Sequence, residues 1–140
     1  MNNLLENAYL NKSKLLSKMG KTDEALDIIN QALEADPKNP DALFEKGNIM
    51  YLSGNNDEAL TYLEKVLEAN AEHKGAQLIR VKILLSENRT GEADAIANRI
   101  MDQQPSAPIA LLIKGEIEFY RMNYFEALKY FRKEFEARLR

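Results

Sequence analysis

The side chains able to do chemistry in this chain are few, and their spacing is regular. Glu24, Glu58, Glu92 and Glu126 recur at one constant step along the 140 residues. Carboxylates act as acid and base, or as metal ligands, only when they converge on one point with tuned pKa values. Groups each a full step apart do not form such a pair. There is one histidine, His73, set between Glu72 and Lys74, and there is no cysteine. Thiolate chemistry, disulfides and cysteine-based metal sites are therefore excluded, as is a His–His metal pair. His73 reads as an exposed loop residue. No glycine-rich phosphate loop and no nucleophile elbow occurs. The expectation is no catalytic residue, no metal, no cofactor and no enzyme. Aromatics interleaved with basic residues at Tyr120-Arg121 and Tyr130-Phe131-Arg132-Lys133 would suit RNA, but a net charge of -3 argues against a nucleic-acid partner.

Composition points the same way. Hydrophobic residues are 45% of the chain and charged residues 29%, the balance of an ordinary globular protein with a core. The longest aliphatic run, Ile109 to Ile113, is far short of a membrane span, so no membrane partner is expected. The start, Met1-Asn2-Asn3-Leu4-Leu5-Glu6, lacks a basic segment and an apolar segment, so no secretory signal is visible and a cytoplasmic location is expected.

The step that spaces the glutamates is 34 residues, and it governs the whole chain. Glu24-Ala25-Leu26 returns as Glu58-Ala59-Leu60 and Glu126-Ala127-Leu128, with Glu92-Ala93-Asp94 between them. Ala8, Ala42, Ala76 and Ala110 keep the step, and so do the pairs Pro37/Pro105 and Pro40/Pro108. Four units follow, 6–39, 40–73, 74–107 and 108–140, read as a single domain over 1–140. Each unit reads as two helices. In the second, Pro40-Asp41 opens a helix whose apolar stripe includes Leu43, Gly47, Ile49 and Met50. Ser53-Gly54-Asn55-Asn56 ends it, and Asn56 or Asp57 is the candidate cap of the next helix, through Ala59, Leu60, Leu63, Val66 and Leu67. The recurrent glutamates then fall in the first turn of each second helix, where the helix dipole favours them. No segment alternates with period two, so the fold class is all-α.

This pattern resembles the tetratricopeptide repeat, in register over 135 of 140 residues. The resemblance implies a right-handed superhelical solenoid of four helix-turn-helix repeats, here without a C-terminal solvating helix. In that family a small residue at the eighth position of a repeat packs against one at the twentieth. The eighth positions are Ser13, Gly47, Val81 and Gly115; the twentieth are Ala25, Ala59, Ala93 and Ala127. The third repeat departs most, with Gln77, Val81, Asn88 and Asp94 at positions of the pattern, so looser packing or a bend of the solenoid is expected there.

The resemblance also implies that the first helices line a concave groove and that the chain is a non-enzymatic scaffold for protein–protein interaction. The groove positions hold Leu10, Lys14, Phe44, Glu45, Asn48, Tyr51, Leu78, Ile79, Lys82, Leu85, Leu112, Ile113, Glu116, Phe119 and Tyr120. So many apolar side chains predict an amphipathic helix or an apolar extended segment as ligand. Part of the set is also expected to pack sideways on neighbouring first helices. The clamp of lysines, asparagines and arginine with which some members hold a chaperone's C-terminal carboxylate is missing from its slots, so that partner is not expected.

Charge is uneven. Residues 40–73 carry seven acidic against two basic side chains, and residues 108–140 five acidic against seven basic. That asymmetry would suit a dipolar partner or head-to-tail contacts. The last helix displays Phe125, Leu128, Phe131 and Phe135, which predicts self-association as an alternative function. A further alternative is that the chain is an accessory repeat segment of a larger protein.

Overall fold

A computed structural model describes residues 3–140. Met1 and Asn2, at the start that shows no secretory signal, lie outside the described residues. Among the described residues there are eight helices and no strand: α1 (Asn3–Lys18), α2 (Thr22–Ala35), α3 (Pro40–Leu52), α4 (Asn56–Ala69), α5 (Lys74–Ser86), α6 (Thr90–Gln103), α7 (Pro108–Tyr120) and α8 (Tyr124–Arg138). The starts at Thr22, Asn56, Thr90 and Tyr124 keep the 34-residue step, as do those at Pro40, Lys74 and Pro108.

Local chemistry sets these boundaries. Pro40 and Pro108 sit in first turns, where a missing N–H costs nothing. Asn39 Oδ1 accepts from the Asp41 N–H at 3.0 Å and the Ala42 N–H at 3.2 Å, capping α3. The ends of α1, α3, α5 and α7 share one device. A residue in the left-handed region follows each helix: Gly20 (φ 78°), Gly54 (φ 82°), Asn88 (φ 59°) and Met122 (φ 65°). The next residue's N–H then reaches back five residues, as in Lys21 to the Leu16 carbonyl (2.9 Å) and Asn123 to the Glu118 carbonyl (2.8 Å). These bonds satisfy carbonyls that the helix leaves orphaned. The expected caps of α4 shift by a residue. Asn56 is already helical, Asn55 precedes it, and the Asn55 side chain makes no cap hydrogen bond.

The chain divides into two compact units, one up to Arg80 and one over Val81–Arg140. In the first, α1 packs on α2 and α3 on α4, while α3 also packs on α1 and α2. Ala25, Ile29, Ala32, Ala42 and Ile49 form a buried core, with Tyr9, Leu10, Leu16, Leu26 and Leu33 packed around it. Burying side chains of the size of Ile29 and Ile49 stabilises by about 1.5–3 kcal/mol each. Ser13, fully buried, has its hydroxyl satisfied by donating to the Ala25 carbonyl at 3.0 Å. Gly47 lets α3 and α4 close together, because a Cβ there would lie 3.2 Å from Leu63 Cδ2.

In the second unit α7 packs on α8 and α6 on α7, around Ala93, Ala97, Ala110, Leu111, Ile117 and Ala127. Phe131 closes over Gly115, where an added Cβ would lie 2.6 Å from the ring's Cδ1. Leu63 and Phe131 hold equivalent positions in their repeats, so a bare glycine meets a large side chain both times. In the third repeat the sizes reverse: Val81 replaces the glycine and Ala97 replaces the large residue, and both are buried. Asp94 has a similar explanation. Its carboxylate pairs with Lys114 Nζ at 2.6 Å, with both side chains largely shielded. Lys46, at the equivalent position to Lys114, donates to Asn30 Oδ1 at 2.7 Å. Of the departures in the third repeat, Asp94 thus has a partner in Lys114, and the larger Val81 goes with a smaller residue at position 97.

Candidate protein-interaction surface

The two units each present part of the expected groove. In the first unit, Leu10, Phe44, Asn48, Tyr51, Leu78 and Ile79 are half-buried and Lys14 is exposed. Leu10 is also one of the residues packed around the core, so its sideways contact is structural. Phe44 is held from one side by the segment before α5. Its ring centroid lies 4.6 Å from that of His73, tilted by 44°. Its Cζ would be 2.7 Å from a Cβ on Gly75. His73 is half-buried, and its Nδ1 accepts the Ala76 N–H at 3.0 Å in the first turn of α5. It is therefore a cap and a ring contact, not a loose loop residue. Nothing in the sequence pattern singles out that role beyond its place three residues before Ala76.

Glu45 is the electrostatic feature of this unit. It is buried, and burial pushes its carboxyl above the ordinary 4.5, while the positive charges of Lys14 and Lys18 pull it down. Lys18, at the thirteenth position of the first repeat, lies one turn beyond Lys14 on the same helix face.

In the second unit, Leu85 and Ile113 are buried and present almost no side-chain surface, being 5% and 0% exposed. Leu112 and Glu116 are half-buried and Lys82 is exposed. Phe119 and Tyr120, at the end of α7, are 57% and 42% exposed. Phe119 meets Tyr124 edge-on with ring centroids 5.7 Å apart, leaving the rest of its ring open. The Glu118 carboxylate beside them accepts from Arg121 at 3.1 Å and from the Asn123 side chain at 2.7 Å, which ties down the turn that carries the aromatics. The four recurrent glutamates are all exposed, in the first turns of α2, α4, α6 and α8, and stand in no common cluster. Among the described residues no group of three or more His, Asp or Glu could hold a metal ion. None of the helices described is long and apolar enough to cross a membrane.

Tandem helical hairpins of constant length, closed by one repeated turn and locked through small residues, define a class of interaction scaffold. Models of the tetratricopeptide repeat match residues 10–73 and 50–115. The chain belongs to the tetratricopeptide repeat family. Among curated proteins no sequence matches it. Among solved structures it is similar to a tetratricopeptide repeat protein from Parabacteroides merdae, at 24% identity and a TM-score of 0.75. That likeness covers 99% of this chain and 54% of the other, so this chain spans about half of that relative. It is also similar to TTC0263, a thermophilic repeat protein of Thermus thermophilus, at 16% identity and a TM-score of 0.77, covering 94% of this chain and 74% of that one. MamA from Desulfovibrio magneticus aligns at 19% identity and a TM-score of 0.71, covering 98% and 77%. At these identities the likeness is one of fold. The fold and the family support a protein-interaction scaffold in general.

Proposed function

We propose that the chain binds an apolar or amphipathic segment of another protein along the faces of its first helices, and carries out no chemistry of its own. The observation that supports this best is the pair Phe119 and Tyr120. The core of the second unit is filled by Leu111, Ile113 and Ile117 from the same helix without them. Two aromatic rings left open at a helix end are the residue types that dominate binding energy in interfaces. Each would contribute about 1.5–3 kcal/mol if a ligand buried it fully, before the costs of association. In the first unit Phe44 and Tyr51 offer half-buried rings, and the exposed Lys14, whose charge acts on Glu45, suits a ligand that carries an acidic residue as well as apolar anchors. The ligand is read as a helix or extended peptide because the open residues run along helix faces.

Selection of binding peptides from a displayed library, with the double variant Phe119→Ser and Tyr120→Ser as control, tests the reading. The expected result is enrichment of apolar or amphipathic sequences by the natural chain and at least tenfold weaker binding by the variant, with unchanged helicity. Equal binding by both proteins would remove these rings from the site.

A further inference from the structure

Helix α8 has two apolar faces. One looks into its own unit, where Ala127 is buried and Phe131 closes over Gly115. Phe131 is therefore turned toward α7 rather than outward. The other face consists of Phe125, Leu128, Phe135 and Leu139, exposed by 86%, 46%, 55% and 72%. With Arg132 between them, these residues follow one another at steps of three and four, the 3.5-residue seam of paired helices. Leu139 lies just past α8 but keeps helical angles (φ -75°, ψ -15°), and its N–H reaches the Phe135 carbonyl at 3.3 Å. It thus continues the seam by one layer.

Leu128 and Phe135 hold the places of Leu26 and Leu33, which pack around the core of the first unit, but the two ends of the seam have no such counterpart. At the position of Phe125 the other three repeats have Asp23, Asp57 and Gly91, and at that of Leu139 they have Pro37, Ala71 and Pro105. A large apolar side chain at both seam ends is peculiar to α8.

We propose that α8 pairs antiparallel with α8 of a second copy of this chain, through Leu128, Phe135 and Leu139 of the seam and about a twofold axis. The charges choose this arrangement. A parallel pair in register would stack Arg132 on Arg132 of the second copy. An antiparallel pair with Leu128 across from Leu139 of the second copy sets Arg132 over Phe135 of the second copy, a favourable cation–ring contact. It also brings Lys129 beside Glu136 of the second copy, and symmetry repeats that pair. Within its own chain Glu136 has no ion pair among the described residues, and Lys129 has only the exposed contact with Glu126 at 3.1 Å. In this register Phe125 faces a position past Arg140, so Leu128, Phe135 and Leu139 carry the contact; they would remove on the order of 300 Å² per copy from water, with the stems of Lys129, Arg132 and Glu136 adding to it, a small interface that suits weak pairing. This pairing uses the outer face of the last helix and does not depend on the peptide-binding reading.

Sedimentation equilibrium of the full chain over a wide concentration range is the test. The expected result is a monomer–dimer equilibrium in the micromolar range that goes no further than two copies. Leu128→Asp should weaken the dimer at least tenfold without loss of helicity. Lys129→Glu and Glu136→Lys should each weaken it several-fold, and the double variant K129E/E136K should return to within about threefold of the natural chain. Arg132→Cys supplies a second readout in a chain with no cysteine of its own, because the sulfurs near the axis should cross-link copies on mild oxidation. A monomer at several hundred micromolar would overturn the proposal, as would oligomers that keep growing with concentration. A dimer indifferent to Leu128→Asp, or one not restored in the double charge variant, would overturn it equally.

Discussion

Glu45 and Met122 are the two residues whose local physics conflicts with their surroundings. Glu45 is buried and its carboxyl is held above the ordinary value, chiefly by lost hydration. The folded state therefore keeps its proton to higher pH than the unfolded state does. As pH rises past about 4.5 toward the raised value, this group takes stability away, and above that value the loss is complete. The variant Glu45→Gln lacks this component. Urea denaturation at a series of pH values should show its stability gaining on the natural chain across that window and then running parallel. Met122 has φ 65°, a conformation in which its Cβ crowds the backbone. Gly20, Gly54 and Asn88 hold the same turn position in the other repeats without that cost or with less of it. The Met122 side chain is exposed, so little packing is lost on removing it. Met122→Gly should stabilise by about 0.5–1 kcal/mol in denaturant titration, the relief of strain outweighing glycine's greater freedom when unfolded.

At the scale of the helix pair, the decisive fact is how closely the two helices of a hairpin approach. Gly47 against Leu63 and Gly115 against Phe131 are two solutions of the same kind, and the third repeat carries the reverse sizes, Val81 and Ala97, at the equivalent positions, both buried. Gly115→Ala should destabilise by roughly 1–2 kcal/mol, because the overpacking cost exceeds alanine's better helix propensity. The double variant with Phe131→Leu should recover most of that, a coupling a double-mutant cycle reads directly. The same scale explains Asp94. Leu26, Leu60 and Leu128 occupy the equivalent position in the other repeats. In the third repeat a carboxylate is acceptable there because Lys114 is within 2.6 Å. Read along the chain, Asp94 is an anomaly; its partner lies 20 residues away and becomes visible only when α7 folds onto α6.

For the molecule as a whole, the two proposed contacts use surfaces of different grammar. The first-helix faces carry Phe44, Tyr51, Phe119 and Tyr120, and the outer face of α8 carries the seam of Phe125, Leu128, Phe135 and Leu139. They should fail separately. Variants that dissociate the α8 pair, such as Lys129→Glu, should leave peptide binding within about twofold, measured by fluorescence titration at concentrations where both proteins are monomeric. Conversely, Phe119→Ser with Tyr120→Ser should leave the sedimentation behaviour unchanged.

The all-helical class, the 34-residue step and the pairing of helices into hairpins were legible in the sequence alone. They rest on short-range physics: turn residues that adopt left-handed angles, prolines at first turns and apolar stripes at helical spacing, repeated until coincidence is excluded. What remained hidden was the division of labour among apolar side chains. Leu85, Ile113 and Phe119 look alike along the chain, yet the first two are buried and the third stands open. Phe131 and Phe135 sit one turn apart on α8, yet one covers Gly115 while the other is exposed. Helical spacing says which residues share a stripe, but only the neighbouring helix decides which part of the stripe is taken. The tertiary structure therefore settled which rings belong to the core and which stay exposed, because burial depends on the helix packed across from each residue and not on the residue's own type.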